Sequence, residues 1–200
     1  MTFIKTISGK EATGKLKIIY DKVQGPNGHI DHVLSIHSLR PHTLEGHMAL
    51  YKSVLHHTGN TLPKWYLETI GTYISQVNKC EYCATHHAVG LKNNLKDDDK
   101  YKLIMAAMET GDFSKVLTKS QVAGMKHAVK LTVDHANITK VDIDELRVAG
   151  FSDGEVLEIN QVTSYFNYVN RMVVGLGVDL ENDNIGLSPS SSDSDDWSHK

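Results

Sequence analysis

Apolar residues along this chain recur at three- and four-residue intervals rather than at every second position, the periodicity of helices with one buried face. Leu16, Ile19, Tyr20 and Val23 carry it through Lys10–Gln24, and Gly25-Pro26-Asn27-Gly28 ends it. Ile30, Val33, Leu34 and His37 predict a second, short helix within His29–Ser38. Arg40-Pro41 separates it from a third, which runs to about His57 with Pro41 in its first turn. After the loop Thr58-Gly59-Asn60, Thr61 is placed to cap a helix that Pro63 opens. Beyond the middle of the chain, helices are expected over Lys96–Thr110, Lys119–His135 and Asp142–Ala149, with Gly150 as a stop. Asp97 to Asp99 suit the positive N-terminal end of the first of these. Ser152 and Glu155 form a capping box that opens the longest helix, Asp153 to about Leu176. Its apolar positions include Val156, Ile159, Val162, Phe166, Val169 and Val173.

No stretch alternates convincingly as a strand, so the expected fold is all-α, of eight or nine helices, in a single domain over residues 1–182. Residues 183–200 are rich in Ser, Asp and Gly and are expected to form a polar, disordered tail, because they offer too little apolar surface to offset ordering. The 153–176 helix carries apolar side chains on more than one face, which suits burial on two sides and a homo-oligomer.

The 40% hydrophobic and 22% charged composition is ordinary for a globular chain. A net charge of -3 gives no electrostatic case for nucleic acid or an anionic membrane. No 18-residue apolar run exists and Met1–Gly9 lacks a signal core, so no membrane span and a cytoplasmic location are expected. In that compartment the only two cysteines, spaced Cys-x-x-Cys, read as catalytic or metal-binding rather than as a structural bridge.

Those cysteines sit in Asn78–Leu91, NKCEYCATHHAVGL. On a helix, Cys80, Cys83 and His87 stand at i, i+3 and i+7 and share one face. Glu68 lies twelve residues before Cys80. In one unbroken helix it would be roughly 18 Å away, at about 1.5 Å per residue. Asn78-Lys79 reads as a break, however. Folding the chain back there puts Glu68, ten residues before Asn78, level with His87, nine after it. A carboxylate, an imidazole and two thiols then meet. His86 points about 100° away from His87 on a helix and reads as a flank residue. His29, His32, His37, His42 and His47 are a loose scatter with a weak metal signal. Three readings stay open at this point: a redox pair, a general disulfide oxidoreductase, and a zinc-binding or redox-sensing module using Cys80, Cys83, His87 and a ligand from another helix or subunit.

Glu68 followed by Cys80-Glu-Tyr-Cys83-Ala-Thr-His-His87 resembles the alkylhydroperoxidase D and carboxymuconolactone decarboxylase superfamily. HSLRPHTLEGHMALYKSVL at 37–55 and GFSDGEVLEINQVTSYFNYVNRMVVGLGV at 150–178 are similar to its peroxidase-related branch. The resemblance implies an all-α fold, obligate trimers or hexamers, and no cofactor or bound metal. It implies a hydroperoxide substrate attacked by Cys83, with Cys80 resolving the sulfenic acid to a disulfide. Glu68 and His87 would relay the proton, and an external dithiol or thioredoxin-like reductant would close the cycle. Where alkylhydroperoxidase D has a histidine before the second cysteine, this chain has Tyr82, a hydrogen-bond donor but a poor base near neutral pH.

Overall fold

A computed structural model describes residues 2–189 and 196–197. Among the described residues nine α-helices build the fold: α1 Gly14–Val23, α2 His32–Ser35, α3 Pro41–Tyr51, α4 Lys64–Val77, α5 Glu81–Leu95, α6 Asp98–Thr110, α7 Lys119–Val133, α8 Lys140–Val148 and α9 Asp153–Gly175. Among the described residues no strand forms, and no helix is long and apolar enough to cross a membrane.

The architecture is built round α4. Tyr66, Leu67, Ile70 and Ile74 are buried along it, and so are Glu68, Thr69, Thr72 and Ser75. The three hydroxyls return to the carbonyls four residues earlier, each at 2.8 Å, so their polarity is satisfied inside the helix. α5 packs most extensively on α4, and α9 covers it from another side. All six apolar positions expected of the long helix, Val156, Ile159, Val162, Phe166, Val169 and Val173, are buried.

Phe166 lies directly on Gly71, where an added Cβ would run into its ring. Gly71→Ala should therefore overpack the α4–α9 contact by about 1–3 kcal/mol. At this chain length that lowers Tm by roughly 2–4 °C per kcal/mol. A thermal melt followed by circular dichroism checks it; an unchanged Tm would show that Phe166 swings aside freely.

Local signals act mostly as the pattern predicts. Pro41 occupies the first turn of α3, and the chain continues from Tyr51 into a π turn over Lys52–His56, so the third helical stretch does reach His56. The Ser152–Glu155 capping box is present, and Asp97 accepts the Lys100 N–H to cap α6. Two features differ. Thr61 does not cap α4, whose N-cap is Pro63. Instead the Glu158 carboxylate of α9 accepts from the Thr61 N–H and hydroxyl and the Leu62 N–H, which pins the segment leading into α4 to α9.

The chain past residue 182 also departs from expectation. Asp183 has a fully buried side chain, Gly186, Leu187 and Ser188 lie against the body, and the Lys52 ammonium donates to the Asp196 carbonyl. These stretches pack because a few residues, one buried carboxylate above all, find partners that low overall apolarity does not reveal. The rest of the expected tail lies outside the described residues.

Candidate active site

The reversal between α4 and α5 is a Schellman turn. Lys79 takes a left-handed φ of 57°; its N–H donates to the Gln76 carbonyl at 2.9 Å and the Cys80 N–H to the Ser75 carbonyl at 2.8 Å. Cys80 thereby ends one helix and serves as the N-cap of the next. The expected hairpin is present, and it delivers the expected pair: His87 Nδ1 lies 2.8 Å from Glu68 Oε2. Glu68 is only 1% exposed. A carboxylate can only accept, so His87 Nδ1 carries the hydrogen and Nε2 is left as the basic nitrogen. Gly90 makes this approach possible, since a Cβ there would sit 3.0 Å from the Glu68 carboxyl atoms.

Cys83 and the His87–Glu68 pair open on one small cavity of about 50 Å³, with Tyr51, Tyr82, His86 and Tyr165 among its walls. Phe166 meets the His87 ring edge-on at 4.6 Å between centroids, and Tyr51 stacks on Tyr165 at 5.7 Å. Burial drives both tyrosine hydroxyls well above their ordinary range, with the Glu68 charge adding to it. They act as neutral walls. No hydrogen bond joins His87 to Cys83 among those described; the two meet only as walls of the same cavity.

Cys80, itself buried, lines a different groove of about 580 Å³ with Gln76, Lys79, Ala84, Val89 and Met105. Both cysteines are free thiols, and their titrations influence each other. Hydrogen bonding from Cys83, its thiol first, lowers the Cys80 pKa against the opposing effect of burial. The same hydrogen bond, burial and the Cys80 charge raise Cys83 well above the ordinary thiol range. Of the two thiols Cys80, at the helix N-terminus, is thus the one that ionises more readily, and the peptide dipole there favours it too. Asn170 of α9 donates to Ser75 Oγ at 3.0 Å, and its amide lowers the pKa of both thiols.

Tyr82 is not aimed at the thiols. Its hydroxyl donates to Asp183 Oδ2 and accepts from the Val33 N–H at 3.3 Å. Burial and the Asp183 charge push that phenol far up, so it stays protonated. Asp183 also receives the His32 N–H at 3.1 Å and lies 2.5 Å from His29 Nε2. Burial alone would raise its carboxyl, but the bonds from Tyr82 and His29 outweigh that and hold it below its usual range.

His86 corrects the flank reading. It stacks on Tyr82 at 4.4 Å, accepts the Gly186 N–H on Nδ1 at 3.3 Å and lines the Cys83 cavity. The reason is tertiary: residues 183–188 fold over the side of α5 that a lone helix would leave in water. Desolvation depresses the His86 pKa, with the Asp183 charge working against it. The N-terminal histidine scatter resolves in part. His29 Nε2, with oxygens of Asp31 and Asp183, forms a donor set within 4.8 Å, the one group among the described residues that could hold a metal ion. It excludes the cysteines and His87, and Asp183 is already engaged by the three donors above.

Residues 41–124 match the carboxymuconolactone decarboxylase family. No curated protein matches the chain significantly. Among solved structures, the alkylhydroperoxidase AhpD-core, peroxidase-related protein of Ralstonia eutropha is 21% identical over 90% of this chain and 93% of its own, with a TM-score of 0.76. An uncharacterized peroxidase-related protein of Silicibacter is 25% identical over 81% and 80%, with a TM-score of 0.65. The debrominase Bmp8 shares the fold at 18% identity over 90% and 91%, with a TM-score of 0.69. The match to the carboxymuconolactone decarboxylase family thus spans residues 41–124, and the all-helical fold of the chain is similar to that of the alkylhydroperoxidase AhpD-core protein.

Proposed function

We propose that the chain is a thiol-dependent peroxidase that cycles Cys80 and Cys83 between dithiol and disulfide. The observation that carries this reading is the convergence of Cys83 with the 2.8 Å His87–Glu68 pair on one small, walled cavity, with Cys80 one helical turn away. The Silicibacter protein, described as peroxidase-related, supports it. The proton leaves Cys83 through the bound peroxide to His87 Nε2. The Cys83 sulfur takes one peroxide oxygen, the O–O bond breaks, and the departing alkoxide or hydroxide collects a proton from the relay. Cys83 is left as a sulfenic acid. Cys80, the thiol better placed to ionise, attacks the Cys83 sulfur, forms the S–S bond and releases water. An external dithiol or thioredoxin-like protein then reduces the disulfide from the Cys80 side, where the groove opens, and is itself oxidised. Two free, buried cysteines suit the reducing cytoplasm and a role in antioxidant defence.

Peroxide consumption coupled to a dithiol donor tests the reading. Dithiol exchange without peroxide consumption would favour a general disulfide oxidoreductase, which the groove beside Cys80 also permits. Tightly bound stoichiometric metal, released with a gain of free thiols, would favour a metal-binding or redox-sensing module.

We also propose a homo-oligomer, a trimer or hexamer. Leu157, Tyr168 and Val174 stand exposed on α9, whose opposite face is core, as for a helix buried on two sides. Light scattering at micromolar concentration should show the oligomer; a monomer would refute it.

A further inference from the structure

We infer that residues Asp183–Ser188 form a fixed strap that sets the size of substrate admitted to Cys83, and that the substrates are small peroxides, hydrogen peroxide and the shortest alkyl hydroperoxides. This rests on the peroxidase reading of the site. The cavity at Cys83 is about 50 Å³. That is room for a few water-sized molecules, whereas a cavity holding a benzene ring is on the order of 150 Å³. A cumyl or long-chain hydroperoxide does not fit beside Cys83 while the strap is in place.

The strap is built into the fold. At one end Asp183 is buried and held by Tyr82, His29 and the His32 N–H. Three residues on, the Gly186 N–H bonds to His86 Nδ1. Gly186 has a φ of +84°, and a Cβ there would collide with Val89 of α5, so the backbone lies flush on that helix. Leu187 and Ser188 then complete the cavity wall opposite Cys83 and Tyr165. Tyr82 links the two features: it stands between the cysteines in sequence, and its hydroxyl is spent on the strap's anchor rather than on proton transfer. This accounts for a tyrosine at a position where its basicity is of no use.

The test compares full-length protein with Leu187→Ala, which lowers the wall, and Gly186→Ala, which lifts the strap off Val89. The first readout is the ratio of kcat/KM for cumene hydroperoxide to that for hydrogen peroxide. It should rise at least tenfold in both variants. The second readout does not need peroxidase activity. In a Cys80→Ser background, Cys83 is labelled with iodoacetamide or with N-phenylmaleimide, and the ratio of bulky to small reagent rates is measured. That ratio should also rise at least tenfold when the strap is altered. Loss of peroxide turnover throughout, with the labelling ratio still rising, would defeat the peroxidase reading and keep the size filter. Bulky and small reagents that reach Cys83 equally well in the unaltered strap, with no change in either variant, would overturn the filter.

Discussion

Cys83→Ser should abolish peroxide turnover, because no other sulfur lies in the cavity where peroxide would meet the relay. The serine hydroxyl keeps the shape of the site but is a far weaker nucleophile near neutral pH. The substitution should leave the helical circular dichroism spectrum unchanged, since Cys83 contributes one small side chain to a core carried by α4, α5 and α9. Cys80→Ser should behave differently. Peroxide would still oxidise Cys83 once, but the sulfenic acid would persist and turnover would stall after a single equivalent. Peroxide consumption and a sulfenic-acid probe distinguish the two variants. Turnover by Cys83→Ser at the wild-type rate would mean that the chemistry runs elsewhere.

Glu68→Gln should slow the peroxide reaction by roughly 10- to 1,000-fold, the range for loss of ordinary general-base help. The carboxylate does two things: it holds His87 Nδ1 at 2.8 Å and keeps that nitrogen protonated, and it stabilises the imidazolium formed when Nε2 takes a proton. The amide keeps the volume and loses the charge. With the imidazolium less available to support a thiolate, alkylation of Cys83 should shift to higher pH. Stability should change little, because burying a neutral amide in place of a charge relieves desolvation while one hydrogen bond weakens. Wild-type turnover and alkylation at every pH would reduce Glu68 to a structural residue. Gly90 gives a companion expectation of direction: any side chain there displaces the Glu68 carboxyl.

The contrast between what could and could not be seen in the residues has a physical basis. The Glu68–His87 contact was legible because it depends on one local event, the left-handed turn at Lys79, and on helical rise, which is constant. The capping box at Ser152 and the buried stripe of α9 are local in the same way. The cavity walls were not legible. Tyr51 and Tyr165 stand more than a hundred residues apart and meet only through packing. Asp183 sits in a stretch whose composition argues for solvation, and its burial depends on Tyr82, His29 and His32, all distant in sequence. His86 looked peripheral because helical geometry says which way a side chain points, not what will come to cover it. Gly90 is the gap in α5 that admits Glu68, a role that depends on what packs there rather than on the local sequence.

The Cys80–Cys83 exchange is the centre of the account, and one measurement addresses it directly. Reduced protein is mixed with one equivalent of hydrogen peroxide, quenched with an alkylating agent, digested and mapped by mass spectrometry. Both thiols should disappear together, the peptide carrying Cys80 and Cys83 should be recovered with an internal disulfide, and a dithiol should restore both for a second round. Two thiols still fully alkylated after peroxide has been consumed would contradict it.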